Sequence, residues 1–120
     1  MEIGKEYKIA PSAKLWDVAT MKSAEITISR ASKAYPAGTI LSDNAGTFTA
    51  VTSALEHTCY IVVEDVAQNA TKARVMVTGV AYLEALNAVN STSFDMTKVL
   101  AANWAGTVTV LDRKEVAYAN

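Results

Sequence analysis

The chain has 120 residues, 51% of them hydrophobic, with 11 basic and 12 acidic side chains and a formal charge of −1. That length suits one domain with one core and leaves no room for a second. The near-neutral charge excludes a nucleic-acid binder that neutralises many phosphates, a task that needs a basic excess on one face. Cys59 is alone, so no intramolecular disulfide can form.

Residues 1–24 follow neither a helical nor a strand period, yet Ile3, Tyr7, Ile9, Leu15, Trp16 and Val18 make them too apolar for an inert tail. They read as an arm that needs something to lie against. Met1 to Ala10 has no apolar signal core, and no stretch approaches the roughly 18 apolar residues of a membrane span. The expectation is a soluble protein with no membrane partner. Residues 1–33 carry six basic and four acidic side chains, a small excess that reads as solvated surface.

From Glu25 the pattern alternates, with Ile26 and Ile28 on one face and Thr27 and Ser29 on the other, predicting a strand over Glu25 to Arg30. Tyr35-Pro36-Ala37-Gly38 breaks the chain, and Thr39 to Ser42 can extend again. Asp43-Asn44-Ala45-Gly46 has turn chemistry, so Thr47 to Thr52 is predicted to return as the second half of a hairpin.

Cys59 to Val66 is nearly continuous apolar sequence and predicts a strand buried on both faces. Lys72 to Thr78 alternates cleanly and is expected to pair with it through the turn Gln68 to Thr71. Gly79 is expected to end that strand, with Tyr82, Leu83, Leu86 and Val89 on one face of a short helix. Thr92-Ser93-Phe94-Asp95 resembles a capping box, and Met96, Val99, Leu100, Asn103 and Trp104 predict a longer helix stopped by Gly106. Thr107 to Leu111 is predicted as a last strand, and residues 112–120 form a polar tail.

Reactive chemistry has little support. His57 and Cys59 would share a face if both lay on a strand, which makes a Cys/His pair geometrically possible. The chain supplies no marked third group to orient them, and one His with one Cys does not close a structural zinc site. Glu64 and Asp65 are adjacent and so point to opposite faces of a strand, while Asp43-Asn44-Ala45-Gly46 lacks the later ligands of a calcium loop. No phosphate loop or nucleophile elbow is present. No catalytic, metal or cofactor residue is therefore assigned. Asn69-Ala70-Thr71 and Asn90-Ser91-Thr92 both spell the N-glycosylation acceptor and read as chance matches. Trp104 reads as a core residue, whereas Trp16 fits either a core contact or a partner surface.

The ordered landmarks Pro36-Ala37-Gly38-Thr39-Ile40-Leu41, Gly46 with Phe48 following, Ile61-Val62-Val63-Glu64-Asp65-Val66, Ala73-Arg74-Val75-Met76-Val77 and Gly79-Val80 resemble the bacteriophage head decoration, or capsid cement, proteins. Thr97-Lys98 and then Ala105-Gly106-Thr107 leading into Val108-Thr109-Val110-Leu111 are similar to the end of that family. The likeness covers residues 34–111 and departs from the family at Cys59-Tyr60-Ile61 and in the nine-residue C-terminal tail.

The resemblance implies a non-enzymatic protein of the virion, on the capsid exterior and in the bacterial host cytoplasm during assembly. Its partner would be the major capsid protein, its state a homotrimer, and its arm would order on the shell. The expected fold is mainly β with one or two short helices, a small single-domain β-barrel or β-sandwich-like fold of the decoration type. Residues 1–24 would be the arm, 25–111 the domain and 112–120 the tail. Ile3, Tyr7, Ile9, Leu15 and Trp16 are the expected capsid contacts, and Pro36, Gly38, Gly46, Gly79 and Gly106 the structural turns. The competing expectation is a β-rich binding module of a phage tail, head fibre or surface assembly. It would recognise a carbohydrate or protein through exposed Tyr35, Tyr60 or Trp16.

Overall fold

Alternation in the first predicted strand is realised three residues earlier than its sequence boundary. A computed structural model describes residues 15–112, and in it β1 runs Lys22–Thr27. The expected boundary between arm and domain at residues 24 and 25 therefore falls inside a strand. Ile28 stays buried beyond the strand end, and its N–H donates to the Thr71 carbonyl at 2.8 Å.

The predicted hairpin forms from β2, Ile40–Asn44, and β3, Thr47–Ala50. Asn44 pairs with Thr47, so only Ala45 and Gly46 connect the strands, at φ 54° and 94°. Two consecutive positive φ values are what a tight hairpin needs to match strand twist. The Asp43 carboxylate accepts the Gly46 N–H at 2.8 Å, which is the role its turn chemistry serves.

The apolar run after Cys59 divides instead of forming one long strand. β4 is Thr58–Ile61, while Val62 makes a single bridge to Val75 and Val66 a single bridge to Tyr35. The next strand, β5, is Lys72–Tyr82 and does not form the expected hairpin with β4. β1 and the last strand, β7 at Thr107–Leu111, make its long pairings, and of the expected pairing there remain the Val62–Val75 bridge and the Val63 N–H donated to the Arg74 carbonyl at 2.9 Å. The loop before β5 folds back on residues 28–35, with Ala31 N–H donating to the Ala70 carbonyl at 2.9 Å and Asn69 N–H to the Ala31 carbonyl at 2.8 Å. Glu64 and Asp65 are exposed there, and the Asp65 carboxylate accepts the Ala37 N–H at 2.8 Å.

Gly79 is not a turn. It lies inside β5, pairs with Val108 of β7 and has no positive φ. The strand continues because Ala81 and Tyr82 are buried in pairing that a sequence window cannot see. The first helix, α1, then starts directly at Leu83 and ends at Asn90. The expected longer helix is α2, Met96–Ala101, only six residues. Asp95 is its N-cap and accepts the Lys98 N–H at 2.9 Å, so the helix begins after the predicted box and not at Thr92. Asn103–Trp104 leaves the helix to form β6, parallel to β4, and Leu100 is 74% exposed, off the predicted apolar face.

The described residues thus form a mainly β domain with two short helices. One sheet has the order β1-β5-β7 and the other β3-β2-β4-β6. Neighbouring residues of a strand enter different cores, as the two-residue period requires. Ile40, Cys59, Ile61 and Met76 join Leu83, Leu86, Phe94 and Val99 in the larger cluster. Leu41, Val62, Val75 and Ala73 join Ile28, Tyr35 and Val66 in the smaller one.

Candidate functional site

The end of the expected arm is built into the sheet. Leu15 accepts the Tyr82 N–H at 2.9 Å, Trp16 bridges Ala81 in antiparallel sense, and Asp17 N–H donates to the Val80 carbonyl at 2.9 Å. Both Leu15 and Trp16 are half-buried against the larger core. A β-carbon at Gly38 would come within 2.9 Å of Leu15 Cδ2 and 3.3 Å of Val89 Cγ2, so these side chains pack over that glycine. Ile3, Tyr7 and Ile9 lie outside the described residues.

On the other side of β5, Leu111 of β7 pairs with the same Tyr82. Leu15, Tyr82 and Leu111 thus form one row across the end of the sheet. Two strand spacings of roughly 4.8 Å separate the outer members. Leu15 and Leu111, close to the two limits of the described residues, consequently lie at the same end of one sheet.

An open groove of about 540 Å³ lies between the Ser32–Pro36 segment, the end of β3 and the C-terminal turn of α1. Pro36 is exposed on its rim, where the Pro36 carbonyl accepts both the Thr39 N–H at 3.1 Å and the Thr39 hydroxyl at 2.7 Å. Two asparagines that sequence reasoning passed over hold this corner. Asn90 accepts the Ile40 N–H at 2.8 Å and donates to the Gly38 and Leu86 carbonyls at 2.9 and 2.8 Å. Asn87 donates to the Phe94 carbonyl at 3.0 Å and accepts from the Phe94 N–H and the Thr92 hydroxyl. Their signal was available: Leu83, Leu86, Asn87 and Asn90 share one helix face, and amides on an apolar face need partners. These bonds also occupy Asn90 structurally, although it begins one of the two glycosylation triplets.

His57 and Cys59 do not form a reactive pair. His57 is exposed, precedes β4 and sits at φ 61°, so strand alternation does not carry it to the face of Cys59. Cys59 is fully buried, its thiol against the carbonyls of Glu56 at 3.6 Å and His57 at 3.8 Å. Burial disfavours the thiolate and pushes the thiol up from 9.0 to about 11. Among the described residues, no group of three or more His, Cys, Asp and Glu is placed to hold a metal ion.

The aromatics of the competing reading are not exposed platforms. Tyr35 is 3% exposed, Trp16 is half-buried, and Tyr60 is half-buried with its ring tilted on Phe48 at a centroid distance of 5.5 Å. Trp104 is half-buried in β6, and its indole N–H donates to the Val99 carbonyl at 3.1 Å. Gly106, at φ 93°, turns the chain from β6 into β7 under the backbone of Val77.

No protein-family model matches the chain, and no characterised protein matches its sequence.

Proposed function

We propose that this chain is a structural head decoration protein that binds the exterior of an expanded capsid and bridges major capsid proteins as a homotrimer. The observation that supports it most is the row Leu15–Tyr82–Leu111. Two chain ends that join the domain side by side can engage one partner face, and the folded domain serves as the spacer that holds them. The apolar Ile3, Tyr7 and Ile9, alternating with charges, suit an extended segment that adds to a partner's sheet. Three such domains in a trimer raise the effective concentration of the second and third contacts, so individually weak arms give a tight clamp on a symmetric lattice.

Purified protein mixed with expanded heads that lack a decoration protein tests the reading. Saturable binding at a fixed ratio to the major capsid protein is expected, together with a trimer by light scattering. Failure of the full chain to bind any such heads at saturating concentration would remove it.

A further inference from the structure

The two sheets of the described residues have four margins, formed by β1, β7, β3 and β6. Three of them are closed to further pairing by ordinary means. β1 carries the exposed Lys22 and Glu25, charges that discourage a neighbouring strand. At β3 the Phe48 N–H is already taken by the Ser29 hydroxyl at 2.8 Å, and β6 is only two residues long. β7 has none of these protections. Thr107–Leu111 holds no charge and no proline, follows β5 without a register shift, and among the described residues has no strand on its outer side. An edge of this kind recruits another strand.

We propose that β7 pairs with the β7 of a second copy of this chain, antiparallel about a two-fold axis at Thr109, joining the two three-stranded sheets into one. The side chains decide the occupant, because β7 is complementary to itself. Pairing centred on Thr109 sets Thr109 against Thr109, Val108 against Val110 and Thr107 against Leu111. The valines face the larger core, Val110 buried within it and Val108 half-buried at its margin. Each Val108 then gains the second copy's Val110 beside it, so the apolar face continues across the axis. Thr107 and Thr109 are exposed on the opposite face, where threonines favour one another across strands. A slip of one residue would set valines against threonines, which fixes the register. Asp112, the next charge along the chain, falls opposite Gly106, so no like charges meet. Such a contact is isologous and goes beyond the shell-binding reading: a three-fold ring closes through other surfaces, and a two-fold contact joins one ring to the next. Five residues from each copy make a small interface, populated only at high protein concentration.

Amide hydrogen exchange of the full-length native chain, read residue by residue across protein concentrations, tests it. The outward amides of 107–111 are expected to exchange about 5-fold more slowly at millimolar than at micromolar concentration, while amides 22–27 of β1 stay constant. Exchange along β7 that ignores concentration would overturn the proposal. Thr109→Lys, at an exposed position, sets two ammonium groups against each other and should abolish the concentration dependence without moving the unfolding temperature; its persistence would sink the register. Directly opposed strand positions lie within disulfide reach, so oxidised Cys59→Ala/Thr109→Cys should form a covalent dimer about 10-fold faster than a Cys59→Ala/Ser53→Cys control. Equal rates would overturn the pairing, and so would concentration-dependent protection without a cross-link at Thr109, which would place another surface on the edge. None of these readouts needs a capsid shell, so this contact and the shell-binding reading can fail separately.

Discussion

Gly106 and Gly46 have nearly the same backbone, at φ 93° and 94°, and very different surroundings. A β-carbon at Gly106 would collide with the Val77 carbonyl oxygen and lie 3.0 Å from its carbon, whereas nothing stands within 4 Å at Gly46. Gly106→Ala should therefore cost roughly 3 kcal/mol, combining left-handed strain with a backbone clash. Gly46→Ala should cost only about 1 kcal/mol, the conformational part alone. Urea unfolding of the two variants checks the contrast, and equal losses would show that the turn before β7 can shift. Cys59 gives a pH signature at the same scale. Its thiol is raised from 9.0 to about 11, so the folded state keeps a proton that the unfolded state loses in that window. Stability should accordingly be fully present below pH 9 and decline as pH rises toward 11, by an amount on the order of 2 kcal/mol. The slope difference between the native chain and Cys59→Ala isolates it from other titrating groups.

At the scale of elements, two polar side chains decide where the helices sit. Asp95 caps α2 by accepting the Lys98 N–H, and a helix of six residues has little else to start it. Asp95→Ala should lose about 1 kcal/mol, while Thr92→Val should disturb the Asn87 contact instead of the cap. Asn90 joins α1 to the start of β2 through three hydrogen bonds. Asn90→Ala would strand the Ile40 N–H and two carbonyls, for a loss of about 2–3 kcal/mol measured by chemical denaturation. A loss no larger than that of an exposed substitution would mean that water replaces the amide. The hairpin Ile40–Ala50 was legible in advance because its turn residues and alternating faces act within a few positions of each other. The partners of β5 were only partly legible: the expected approach of the 59–66 run survives as the Val62–Val75 bridge and the Val63 N–H bond to the Arg74 carbonyl, whereas β1 and β7, its longer partners, come from distant parts of the chain.

For the whole molecule, the boundary that matters lies before Leu15, since residues 15–17 are hydrogen-bonded to β5. Deleting residues 2–14 should leave the unfolding temperature within about 2 °C of the native value and weaken binding to capsid shells. Trp16→Ala should act differently, destabilising the domain by about 2 kcal/mol through lost packing on the larger core. If Trp16→Ala left stability intact and abolished shell binding, the residue would be a partner contact and not a core one. Leu15 and Trp16 were readable as apolar anchors, but their destination was not, because nothing local distinguishes a residue awaiting a partner from one docked on its own sheet.

The amino-acid sequence by itself determined a mainly β domain, the Asp43–Gly46 turn, the two-faced character of the strands and the last strand, Thr107–Leu111. Each depends on the period of side-chain direction or on turn residues acting over short separations. Tertiary structure alone decided that β5 runs through Gly79, that β4 ends at Ile61, that Asn103–Trp104 leaves the helix for a sheet, and that Leu15 and Leu111 meet across Tyr82. Those outcomes rest on backbone hydrogen bonds between segments far apart in the chain, and backbone groups are alike in every residue but proline. A side-chain pattern can announce that a strand exists; only the competition among all the strands for edges sets which of them it joins.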